Sequence, residues 1–78
     1  MTKPTRIRKA VAAALRERRG QSGHSQEYIA QVAGLHRTYV GSVERGERNV
    51  AIEALSRTLR ALDWSWGEFG REVDDRLR

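Results

Sequence analysis

Small and apolar residues fall at helical spacing along most of this chain. In the run QEYIAQVAGLHRTYVGSVER, residues 26–45, Ile29, Ala30, Ala33, Leu35, Val40 and Val43 make one face that can be buried. Gly34 interrupts the periodicity, and helices commonly end on a glycine because left-handed backbone costs it nothing. The pattern predicts a helix over 26–33, a tight turn, and a second helix over 37–45 with Gly46 just past its end. Ser25 is a good N-cap for the first, with Glu27 in its first turn, and His36 takes the cap position of the second. Upstream, Ile7, Val11, Ala14 and Leu15 predict a helix over 5–19, closed by Gly20. Downstream, the stripe Ile52, Leu55, Leu59 and Leu62 predicts a helix over 51–62. Ser65 and Glu68 have capping-box spacing, flanked by Trp64 and Phe69 as a hydrophobic staple. They open a last helix over 66–77 with the stripe Trp66, Phe69, Val73 and Leu77. No alternating β-branched run and no Asn-Gly hairpin is present. The expectation is an all-α bundle of five helices forming one domain over 1–78, entered through a mobile basic arm at residues 1–4.

The central pair has a more specific pattern. Gln26, Ala30 four positions later and Gly34 eight positions later, followed by apolar Leu35, Val40 and Val43, match a helix-turn-helix position for position. The small side chain of Ala30 lets the second helix approach closely. The run SQEYIAQVAGLHRTYVGSVERGERN, residues 25–49, resembles the phage-repressor-like (XRE-type) helix-turn-helix DNA-binding domains. It looks especially like the small controller proteins of restriction–modification systems. The resemblance spans roughly residues 7–62 and implies a five-helix, lambda-repressor-like fold. This chain departs from the family at three places. The link GQSGHS is a few residues longer than usual, which leaves open whether the first helix is extended or a loop bulges. His24 stands at a usually apolar position. Val50 and Ala51 replace the usual Pro then Ser or Thr, so the fourth helix looks weakly capped.

Composition narrows the function. The 78 residues include no cysteine, which excludes disulfides and the usual zinc and iron–sulfur sites. No apolar run has bilayer-spanning length, and no apolar signal-peptide core follows MTKPTRIRKA, so a cytoplasmic location, at the nucleoid when DNA-bound, is expected. The net charge of +5 is unevenly spread. Residues 1–20 carry seven Lys/Arg against one Glu, residues 21–50 three of each sign, and residues 51–78 five basic against six acidic. A basic end beside a helix-turn-helix points to nucleic acid; a solvated basic tail is the alternative. His24 and His36 lie beside helix ends, with no cysteine or carboxylate spacing for a metal, and Ser25 reads as a cap and not a nucleophile. No Gly-rich phosphate loop is present. Neither an enzyme nor any cofactor or metal is expected.

A recognition helix offers its N-terminal exposed face to base edges in the major groove. Those positions are Arg37, Thr38, Gly41 and Ser42. Arg37 can take guanine O6 and N7 bidentately. Thr38 has a hydroxyl for a base and a methyl for thymine, and Gly41 would allow close approach. The resemblance implies phosphate contacts from Gln26 at the N-terminus of the 26–33 helix, from the Tyr39 hydroxyl, and from Arg45, Arg48 and Asn49. Lys3, Arg6 and Arg8 are weaker candidates, and each of these residues has the alternative of ordinary solvated surface. The resemblance also implies a partly buried ion pair between Arg16 and Glu44, fixing the recognition helix to the first helix. Most of the aromatic area of Trp64, Trp66 and Phe69 is expected as core over the first and fourth helices, and the C-terminal stripe, through Trp64, Trp66, Phe69, Val73 and Leu77, is also the candidate contact of a homodimer. The implied activity is a transcriptional regulator that binds a symmetric operator as a homodimer, repressing or activating with a contact to RNA polymerase. The alternative is an antitoxin-like interaction module whose last helix holds a protein partner.

Overall fold

The computed structural model describes residues 5–78, in five helices: α1 (Arg6–Ser22), α2 (Gln26–Ala33), α3 (Arg37–Glu44), α4 (Ile52–Ala61) and α5 (Trp66–Leu77). The arm expected at residues 1–4 lies outside the described residues. α1 packs on α5 and α3, while α2 packs on α4 and α3. The core joins Ala10, Ala14 and Leu15 of α1 to Ile29, Val43, Leu55, Leu59, Leu62, Phe69 and Val73. Burying each larger apolar side chain contributes about 1.5–3 kcal/mol. Ala14 is fully buried at the centre of this core.

The helix ends follow the sequence, with one difference. Ser25 Oγ accepts the Tyr28 N–H at 3.0 Å, and Gly34 at φ 69° ends α2, where the Leu35 N–H donates to Ala30 O at 2.8 Å. His36 and Ala51 begin α3 and α4 with no side-chain cap. α1 does not stop at Gly20. It continues to Ser22 and closes on Gly23, whose φ is 74°. The long link is thus extra helix. A glycine inside a helix costs about 1 kcal/mol relative to alanine. That is offset by contacts from the added turn: Ser22 Oγ donates to Arg18 O, and Arg19 reaches α3.

Three residues of the expected inner stripes are on the surface. Ile7 is 51%, Ile52 69% and Trp66 47% exposed. Each sits in the first turn of its helix, where the stripe runs past the edge of a molecule only 30 × 30 × 21 Å in extent. The expected dimer set is split in the same way. Phe69 and Val73 are each 6% exposed and belong to the core, which corrects their assignment to a contact between copies. Trp64 and Leu77 are half-buried against that core. Trp64 meets Phe69 edge to face at 5.5 Å, and the Arg18 guanidinium lies 5.3 Å from its ring centroid. Arg18 also donates to the Asp63 carbonyl at 3.2 Å, tying α1 to the turn where α4 ends with Asp63 in left-handed backbone.

The capping box of α5 is complete. Ser65 Oγ accepts the Glu68 N–H at 3.1 Å, and the Glu68 carboxylate accepts the Ser65 N–H at 3.1 Å. These bonds to Ser65 hold the Glu68 carboxyl below the usual carboxylate range. A depressed folded value means the stabilisation is present above the ordinary pKa, near 4.5, and is lost as pH falls through the folded value. Glu68→Ala is therefore expected to lower Tm by a few degrees at pH 7. That gap should close on acidification below the ordinary value. Thermal melts of both proteins at pH 7 and pH 3 check it, and an equal gap at both would refute the assignment.

Candidate nucleic-acid interface

Helix geometry leaves the first N–H groups of α2 and α3 without intrahelical partners, so both helix starts favour anions. The exposed polar side chains gather beside these starts. Arg37 and Thr38 occupy the first turn of α3 and are exposed. Arg37 Nε lies 3.5 Å from Glu27 Oε1, both side chains being largely solvated. Such a pair is worth about 0–1 kcal/mol, so it does not prevent Arg37 from turning to another acceptor. Arg45 follows α3 and donates to Glu47 at 3.0 Å, which holds the Glu47 carboxyl below its usual range. Arg48 and Asn49 are exposed in the loop to α4, and Arg8 of α1 lines the same groove as they do. Arg6 is turned away from that group, donating to the Leu77 carbonyl.

Beneath this surface α3 is anchored by a carboxylate. Glu44 is only 5% exposed. Its partner is Arg19, not Arg16. Arg19 Nε donates to Glu44 Oε2 at 2.7 Å and Nη2 to Oε1 at 3.0 Å, a two-pronged contact. A third bond runs from Arg19 Nη1 to His24 O at 2.8 Å. Hydrogen bonding to Glu44 raises the Arg19 pKa, against an opposing push from burial. Arg16 is exposed. Three residues of α-helix leave it about 60° round the axis and a turn back from Arg19, off the face toward α3. The helix expected over 5–19 has Arg19 as its last residue. The extension to Ser22 makes it a helical position with a fixed direction.

Gln26 joins the same node, its Nε2 donating to Glu44 Oε1 at 3.0 Å. One amide hydrogen therefore serves the fold, and the second, with the backbone N–H at the start of α2, is left for an anion. Two expected base-reading positions lie inward. Gly41 is buried, and a Cβ built there would sit 3.1 Å from Arg45 Nη1 and 3.4 Å from Gln26 Oε1. Those two side chains cover it. Ser42 is 5% exposed, and its hydroxyl is committed inside the protein, to Tyr39 O at 2.8 Å and to Arg48 Nε at 2.9 Å. The Ser42 hydroxyl is therefore not free for a base edge, which corrects that assignment, while Gly41 adds no side chain of its own between α3 and a groove. Tyr39 is half-buried, with its hydroxyl accepting the Ala51 N–H at 3.0 Å. His24, at the usually apolar position, stacks on Tyr28 with ring centroids 4.3 Å apart.

The surface is thus a basic, exposed helix start on a buried ionic anchor. Residues 15–69 match the model of the family described as Helix-turn-helix. The control protein C.SmaI of Serratia marcescens is 46% identical over 59 residues, covering 76% of this chain and 70% of that one. The chain belongs to the helix-turn-helix control-protein family. A second family member, the control protein C.BamHI of Bacillus amyloliquefaciens, is 42% identical over 45 residues, covering 58% of this chain and 56% of its own. In three dimensions the chain resembles the family's restriction–modification controller protein C.Esp1396I, solved as a tetramer in complex with its natural 35 base-pair operator. The TM-score is 0.86 at 27% identity, covering 91% of this chain and 93% of that one. Among the described residues no helix is long and apolar enough to cross a membrane, and no group of His, Asp and Glu could hold a metal ion.

The pairings of Arg19 with Glu44, Glu27 with Arg37 and Glu47 with Arg45 emerge only in the structure. Arg19 was legible in principle, since an extra turn of α1 is the other way to absorb a long link. Glu27 and Glu47 had charge spacing as their only signal.

Proposed function

We propose that this chain is a sequence-specific transcriptional regulator of the controller type, binding a symmetric operator as a homodimer through α3. The observation that carries the proposal is the placement of Arg37 and Thr38. They are exposed in the first turn of a helix whose other end is locked to α1 and α2 by Glu44. A reading element needs this combination, with free side chains on a backbone that does not yield. Arg37 and Thr38 address base edges. The N-terminus of α2, Arg45, Arg48 and Asn49 address phosphates, with Tyr39 acting beside them. Operator occupancy by C.Esp1396I, a protein of the same fold, supports the reading.

One recognition helix buries too little surface for high specificity, so two copies read two half-sites about one helical turn apart. Trp66, with the outer edges of Trp64 and Leu77, keeps its proposed place in the contact between copies. Output follows operator occupancy, by blocking a promoter or by touching RNA polymerase.

Selection of bound fragments from random DNA at about 0.15 M salt, with excess non-specific competitor, tests the proposal. The expected result is a two-fold symmetric motif with half-sites about 10 base pairs apart, centre to centre. An asymmetric motif would remove the dimer geometry. Absence of any enriched motif would overturn sequence-specific recognition.

A further inference from the structure

Three arginines lie between residues 21 and 50, and two are matched by carboxylates: Arg37 by Glu27 and Arg45 by Glu47. Arg48 has no ion-pair partner among the described residues. It is held by other means. A serine hydroxyl has one proton to give and lone pairs to receive. The Ser42 proton goes to the Tyr39 carbonyl at 2.8 Å, so the hydroxyl turns its acceptor side to Arg48 Nε at 2.9 Å. The Arg48 guanidinium carbon also lies 5.5 Å from the centroid of the Tyr39 ring. The Tyr39 hydroxyl in turn accepts the Ala51 N–H. The loop between α3 and α4 is therefore pinned at both ends. Its start is held by the Gly46 N–H to Val43 O and the Glu47 N–H to Ser42 O, both at 3.0 Å, and its end by Tyr39.

We infer that Ser42 and Tyr39 are positioning residues that act on DNA through Arg48, holding its guanidinium oriented and outside any direct ion pair for a backbone phosphate. This deepens the proposed function and rests on it. Nε and one face of the guanidinium are occupied, leaving the Nη hydrogens as a fork suited to phosphate oxygens. A free arginine would have to lose its rotamer freedom on binding; this one has lost much of it beforehand. Ser42 thus contributes to affinity without touching the nucleic acid, at a position whose spacing suggested a base contact.

A double-mutant cycle on a random-sequence duplex tests this, with Kd read by fluorescence anisotropy at two or more salt concentrations. Ser42→Ala is expected to weaken binding about two- to tenfold, the ordering cost of one long side chain. It should leave the salt slope unchanged, because no charge is removed. Arg48→Ala should weaken binding and lower that slope by about one. In the Arg48→Ala background, Ser42→Ala should do nothing further. Thermal melts separate this from a folding defect, since the Ser42→Ala loss should persist well below Tm. Losses that add in the double variant would overturn the inference while leaving DNA binding intact. A wild-type protein that binds no duplex would overturn the proposed function and the inference with it.

Discussion

Arg19→Ala is expected to bring the domain to the edge of unfolding, whereas Arg16→Ala should be almost silent. Glu44 is buried, and Arg19 supplies two of the three hydrogen bonds that hold its carboxylate. Removing Arg19 leaves a buried negative charge facing only the Gln26 amide. Breaking one side of a buried ion pair typically costs about 3–5 kcal/mol. A domain of 78 residues has a total stability of about 4–12 kcal/mol. The loss is therefore between about a quarter and the whole of that stability. Arg19 also donates to the His24 carbonyl, so the link into α2 loosens at the same time. Arg16 is exposed, and substitutions at such surface positions usually stay within about 0.5 kcal/mol. Urea titrations of the two variants decide between them. Equal destabilisation would mean that the Glu44 anchor is not the one described. A double variant that removes Glu44 with Arg19 should recover part of the loss, because the uncompensated charge goes too.

The mistaken partner shows where sequence stops being informative. The α2 span was legible to the residue, because Ser25 and Gly34 mark its ends with side-chain chemistry that acts locally. The α5 capping box was legible for the same reason. Gly20 is also a local signal, and it misled. A tertiary contact made by Arg19, together with a second glycine at position 23, outweighed the helix-breaking tendency of the first. Periodicity behaved similarly. It found the buried face of every helix but could not tell where the core ends, so Ile7, Ile52 and Trp66 were read as inside. Ser42 is a third case. Its spacing along α3 points outward, but Arg48 comes back from the following loop and takes its hydroxyl. The Arg19 and Ser42 errors arose from contacts between residues on different elements, and the Ile7, Ile52 and Trp66 errors from where the core ends. The buried Phe69 and Val73 also remove much of the apolar area that made α5 resemble a holder for a protein partner. The partner-module alternative is weakened accordingly.

Arg37→Ala is expected to cost the largest share of operator discrimination of any single surface substitution. The side chain is 66% exposed, and the pair with Glu27 that it must leave is weak and solvent-screened. A bidentate arginine–guanine contact is worth about 1–3 kcal/mol against the wrong base. A symmetric operator presents the contact twice, so the dimer loses about 2–6 kcal/mol of discrimination when both half-sites are counted. The loss should fall on one base pair in each half-site and leave the others unaffected. Arg37→Lys separates geometry from charge. Lysine keeps the positive charge but lacks the planar fork. It should therefore retain most of the affinity for random-sequence DNA while losing preference at that base pair. Binding to operators varied one position at a time measures both effects. If either variant kept the full base preference of the wild type, Arg37 would be a phosphate contact, and the reading of sequence would pass to Thr38 and its neighbours.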